Sequence, residues 1–210
     1  MKKFLCLVLC LAMLCLVGCG SDKDNSSSGN EKSGMETAVA SGTIKEAKYK
    51  LGDSADEVNN YYKKVMDDYE ALHTGENAGV GHEDEAHIHD ANDADKIPYY
   101  DLSEKGAYSE IDVADYRFYY ENGNKDKGIV AIATDTDVFG FVMGITSKSE
   151  VEKSVGKTGK TINATDDDKI FVAFPQDNMI IFRLEYEDEE KVLDFYFFEN
   201  MLVTVVLKAY

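Results

Sequence analysis

Apolar and polar positions follow three different rhythms along this chain. Residues 4–17 form one uncharged run, and residues 20–43 then hold few large apolar side chains. Beyond them Val58, Tyr61, Tyr62, Val65, Tyr69 and Leu72 fall on one helical stripe. Asp56, Lys63, Lys64, Asp67 and Asp68 cover the opposite side. A shorter helix is expected over about 149–155, stopped by Gly156, the usual left-handed terminator. Residues 179–186 alternate with period two, placing Ile180, Phe182, Leu184 and Tyr186 on one face. Residues 116–120, 191–199 and 202–210 are apolar on both faces, as in strands buried on both sides. Shorter runs at 129–133, 138–142 and 170–174 complete an expected antiparallel meander in each half.

The two halves rhyme. Ser54-Ala55-Asp56-Glu57-Val58 and Ser147-Lys148-Ser149-Glu150-Val151 both read Ser-x-x-Glu followed by Val, the signature of a capping box. Each is followed by apolar runs separated by acidic turns, among them Glu121-Asn122-Gly123-Asn124 and Glu187-Asp188-Glu189-Glu190, and Asp166-Asp167-Asp168 reads as a further carboxylate run in a solvated hairpin turn. The expected fold is α+β: two helix-plus-antiparallel-meander repeats, 46–143 and 144–210, with an insertion at about 73–97. This order resembles the tandem α/β repeats of beta-lactamase-inhibitor-protein-like folds. It is also similar to small bacterial lipoproteins with a Gly-x-(Ser/Thr)-x-x-Glu-Val helix entry, here led by Gly52 and Gly144. The family's Leu-Gly-x-Pro after the helix is reduced to Val155-Gly156-Lys157-Thr158 in the second half, and the first half lacks even the Gly. The resemblance implies a fold and a protein-binding role. It transfers no functional residue.

The amino terminus carries the more specific signal. Lys2 and Lys3 precede the 4–17 run, which is fourteen residues long and short of the about 20 needed to span a bilayer. A charged start, an apolar middle and a small-residue end make a secretory leader. Leu16-Val17-Gly18-Cys19 resembles the lipobox of bacterial lipoproteins, implying cleavage between Gly18 and Cys19 and lipidation of Cys19. Residues 1–18 are then the signal peptide, and two acyl chains on Cys19 give stable anchoring to the lipid bilayer at the extracytoplasmic face. Cys6, Cys10 and Cys15 leave with the leader, so the mature chain has neither a free thiol nor a disulfide. Residues 19–45 read as a disordered tether, which at about 5–6 Å times the square root of its length reaches some 25–30 Å.

Composition fits a folded domain and names no ligand. Hydrophobic residues make up 44% of the 210, enough for a core. The formal charge of −18 becomes −20 when Lys2 and Lys3 are removed, which argues against nucleic acid and favours basic partners. No nucleophile elbow, phosphate loop or dinucleotide fingerprint occurs, so no catalytic residue is assigned and a non-enzymatic role is expected.

One segment stands apart. His73, His82, His87 and His89, all four histidines of the chain, fall within seventeen residues among Glu76, Glu83, Asp84, Glu85, Asp90 and Asp93. Imidazole and carboxylate are the ligand set for Zn²⁺ and similar divalent ions, making His82, His87, His89 and Asp90 the candidate metal ligands. A zinc-protease motif is absent, because His82 and His87 are one residue too far apart and fall about 140° apart on a helix. Two functions stay open at this point. One is a membrane-anchored binding module for an extracytoplasmic protein or cell-envelope ligand. The other is a metal-binding lipoprotein using the His-rich loop. The second face of the sheet is either buried by stacking of the halves or left open to present Tyr and Phe.

Overall fold

The structure is a computed structural model that describes residues 27–44, 47–74, 98–156 and 158–210. The described residues form a mixed α+β fold around one sheet of eight antiparallel strands. The strands are β1 (Asp101–Lys105), β2 (Tyr108–Val113), β3 (Tyr116–Glu121), β4 (Ala131–Thr134), β5 (Lys160–Asn163), β6 (Ile180–Tyr186), β7 (Lys191–Phe198) and β8 (Met201–Ala209). Their order across the sheet is β1-β2-β3-β4-β8-β7-β6-β5, so two meanders meet where β4 pairs with β8. Tight turns suit the hairpins: Glu199 and Asn200 both take positive φ between β7 and β8.

Three helices lie on one face. They are α1 (Ser27–Ser41), α2 (Ala55–Thr74) and α3 (Lys148–Val155). At the start of α3 the Ser147 hydroxyl accepts from the Glu150 amide while the Glu150 carboxylate accepts from the Ser147 amide, and Gly156 ends the helix at φ 60°. Ser54 accepts from the Glu57 amide at 3.3 Å in the corresponding place before α2. Met35 and Val39 of α1, Val58 of α2, and Val151 and Val155 of α3 are buried against Ile111, Phe118, Phe195, Phe197, Val205 and Leu207. The stripe on α2 does pack, with Tyr62 stacked on Phe118 at 5.9 Å, although Tyr61 at its border stays exposed.

The helix α1 corrects the expectation of a tether. Ser27–Ser41 is helical, and Met35, Ala38 and Val39 bury almost completely, as does Ile44 just beyond. Its Gly, Ser and Ala content reads as linker, but small residues let a helix lie close to its neighbours: Gly34 packs beside the Phe139 ring. Packing on α3 and β7, rather than propensity, holds such a helix.

Three smaller expectations are corrected. Residues 138–142 form a tight loop closed by the Val138–Phe141 bridge, not a strand. Asp166–Lys169 is a short helix, α4, capped by Thr165, where a hairpin turn was expected around its three acids. Residues 170–174 are irregular. They belong to a strap, residues 165–179, that runs from α4 to β6 and lies over the second face of the sheet. That face is therefore neither open nor buried by stacked halves, because Phe171, Val172 and Met179 of the strap cover Tyr119, Ala131, Ala133, Ile181, Tyr196 and Val206.

Candidate functional site

The second face is where the fold places its charge. The chain has only two arginines, Arg117 and Arg183, and each sits within a strand between apolar neighbours. A charge there stays buried only if paired. Arg117 meets Asp135 through Nη1 at 2.5 Å and Nη2 at 2.9 Å, and Thr204 Oγ1 donates to the same carboxylate at 2.5 Å. Arg117 Nε also donates to the Tyr119 hydroxyl, which in turn donates to Glu110 at 2.5 Å. Burial alone would lower the pKa of Arg117, but the hydrogen bonds and negative charge of Asp135 outweigh it and raise it. Burial is the main cause that raises the Tyr119 phenol, so this hydroxyl remains a donor.

A second cluster centres on Asp194, whose surface is fully buried. Arg183 grips it with two hydrogen bonds, Nε at 2.7 Å and Nη2 at 2.8 Å, and Lys208 Nζ reaches it at 2.5 Å. Asp168 of α4 lies 3.5 Å from Arg183. Burial would raise the Asp168 carboxyl, yet hydrogen bonds from the Thr165 hydroxyl and amide, with Lys208 and Arg183 nearby, hold it below its ordinary value. The Tyr196 hydroxyl is buried and has no hydrogen-bond partner among the described residues.

These clusters fasten the strap. Arg117 Nη2 donates to the Phe171 carbonyl at 3.1 Å, and the Ile170 carbonyl lies 3.3 Å from the Tyr119 hydroxyl. Lys208 Nζ sits 4.9 Å from the centre of the Phe171 ring, and Tyr119 meets that ring edge-on at 4.9 Å. The strap thus divides the face into two open ends. At one, Val172, Met179, Phe198 and Val203 line an apolar groove of about 440 Å³ beside Phe174, which is 83% exposed. Met201, opposite Phe198 in the β7–β8 hairpin, is exposed as well. Asp135 also lines the groove, and Asp177 follows Gln176 of its lining. At the other end Tyr108, Arg183, Lys208 and Tyr210 line a polar cleft of about 500 Å³.

The residues expected from sequence to be functional fall elsewhere. Gly18, Cys19, His82, His87, His89 and Asp90 all lie outside the described residues. His73 belongs to the last turn of α2. Among the described residues, no three His, Cys, Asp or Glu side chains gather in a way that holds a metal ion. No helix among them is long and apolar enough to cross a membrane. Sequence reasoning passed over Arg117, Asp135, Arg183 and Asp194. The available signal was a charge inside a strand apolar on both faces, Tyr116-Arg117-Phe118 and Leu193-Asp194-Phe195.

No protein-family model and no curated protein matches the chain. Among solved structures it is similar to a DUF4309 family protein (YjgB) from Bacillus subtilis subsp. subtilis str. 168, with a TM-score of 0.46 and 17% identity over 89% of this chain and 100% of that one.

Proposed function

We propose that this protein is a membrane-anchored extracytoplasmic lipoprotein whose α+β domain is a non-enzymatic binding module. Location rests on Leu16-Val17-Gly18-Cys19, with the lipid on Cys19 holding the domain at the membrane surface. The observation that carries the binding role is the strap end, where Phe174 is 83% exposed beside an apolar groove. An exposed aromatic next to a preformed apolar groove has the make-up of a binding hot spot. The formal charge of −18 on the chain favours a basic protein partner.

The two-repeat reading supports this account. Ser54 and Ser147 each start a helix, and each helix precedes four strands. The fourth strands of the two sets, β4 and β8, pair with each other, as a pseudo-twofold arrangement requires. In that arrangement the strap is the part of the second repeat that has no counterpart in the first, so it is where a function would be added.

Two experiments test the proposal. Cys19→Ser is expected to take no fatty-acid label and to leave an unprocessed precursor, and lipid labelling of that variant would refute the anchor. For binding, the membrane-displayed protein is expected to retain a basic partner from cell-surface extracts, and Phe174→Ser is expected to lose it. Equal recovery by both proteins would remove the groove from the account. The metal-binding alternative rests on the composition of the 73–97 segment, and a Zn²⁺ titration of the protein against a variant with all four His changed to Ala tests it separately.

A further inference from the structure

The geometry points to a second binding site, for a neutral saccharide, in the polar cleft at the opposite end of the strap. The cleft is lined from distant parts of the chain: Lys105 and Tyr108 of the β1–β2 hairpin, Asp168 of α4, Arg183 of β6, and Lys208 and Tyr210 at the end of the chain. It continues into a neighbouring cavity of about 440 Å³ across Tyr108, Phe171, Lys208 and Tyr210. Each volume lies within the about 300–1,000 Å³ usual for ligand clefts.

The charges decide what kind of ligand fits. Arg183 and Lys208 share Asp194, and Asp168 stands 3.5 Å from Arg183, so the four formal charges cancel. Lys105 is balanced in the same way by Glu110 at 3.5 Å. A bound anion would draw Arg183 and Lys208 away from Asp194, and a fully buried carboxylate does not give up its partners. A bound cation would have to take Asp168 from the Thr165 hydroxyl and amide that hold it. Apart from Asp167 at the rim, the charges of the cleft are already paired, so an ion gains little there.

What it offers is fixed donors and acceptors side by side. Among the described residues, Arg183 Nη1 makes no hydrogen bond, and Lys105 Nζ has only its ion pair with Glu110. The exposed Asp167 carboxylate, at the same rim, accepts. A sugar hydroxyl donates and accepts at once, which matches such a mixed set. The Tyr210 ring, 69% exposed, stands at the rim shared by both cavities, its amide tied to the Glu190 carbonyl at 2.9 Å. A flat aromatic face anchored by its backbone receives the apolar C–H face of a pyranose. Two joined cavities astride one ring fit a short oligosaccharide better than a single residue.

The test uses the full-length protein in a detergent without a sugar headgroup, with cellotetraose as probe and saturation-transfer NMR as readout. Transfer to the sugar protons is expected, and Tyr210→Ala should weaken binding about tenfold, the loss of one stacking contact. Tyr210→Phe should retain it, since the ring and not its hydroxyl is used. Lys105→Gln should weaken it by a smaller factor, and Phe174→Ser should leave it unchanged, which separates this site from the apolar groove. Absence of transfer, equal binding by Tyr210→Ala, or displacement of the sugar by an equal concentration of acetate or inorganic phosphate would each overturn the proposal.

Discussion

The two faces of the sheet solve different problems with the same strands. On β7, Leu193, Phe195 and Phe197 point to the helix side and pack into its apolar core. Asp194, Tyr196 and Phe198 alternate with them and point to the strap side, where a buried carboxylate, two arginines and a lysine are held in place. Three helices close the first face; one short, irregular strap closes the second and leaves both of its ends open. The first face is built as a scaffold. Ion pairs add little to stability compared with apolar packing of equal volume. Spending both arginines on fastening the strap makes better sense as a way of fixing the position of groove and cleft.

Substitutions at adjacent residues of β7 break this comparison most sharply. Phe195→Ala, on the scaffold face, is expected to lose about 3–5 kcal/mol in urea unfolding. Asp194→Asn keeps the shape of its neighbour's site but leaves Arg183 and Lys208 without their shared charge. Its cost is expected at about 3 kcal/mol, the low end for a broken buried pair, since both cations retain some contact with solvent. An Asp194→Asn loss within experimental error would mean that the strap face is not held by its charges.

Met35→Ala comes next. If α1 is part of the scaffold, this variant loses about 2–5 kcal/mol, whereas a tether would lose nothing. Asp168 sharpens the comparison through pH. Its folded pKa is lowered, so its contribution is complete above the unfolded value of about 3.9 and disappears as pH falls through the folded value. Asp168→Asn should therefore remove part of the stability lost between neutral pH and acid, measured by unfolding at stepped pH. Identical acid limbs for both proteins would contradict this. The smallest effect is expected at Tyr196→Phe, which deletes an unpartnered buried hydroxyl and should leave stability unchanged or raise it by up to about 1 kcal/mol.

Much of the scaffold was legible because it depends on local chemistry. The capped starts of α2 and α3 and the hairpins of β6, β7 and β8 follow from residues a few positions apart. What escaped depends on remote packing. α1 carries no clear apolar stripe, and Met35, Ala38 and Val39 matter because α3 is there to meet them. The edge strands β1 and β5 are largely exposed, so no alternation of burial marks them. The strap escaped for another reason: Phe171 and Val172 look like strand residues, yet they insert into a face whose backbone bonds are already made. At the candidate site, part of the charge was readable in principle, since Arg117 and Asp194 stand in strands apolar on both faces and so required partners. Which partners they find, and that they hold a strap between a groove and a cleft, depends on strand order across the whole sheet.

The most direct test of the strap face as the binding face is site-specific photocrosslinking on the intact cell surface. A photoreactive phenylalanine analogue is placed at 174, on the strap, or at Tyr61, the exposed tyrosine of α2 on the helix side. The account predicts a discrete crosslinked species from position 174 and none from position 61. A species formed from position 61 alone would make the helix layer the binding surface and contradict the division of labour between the two faces.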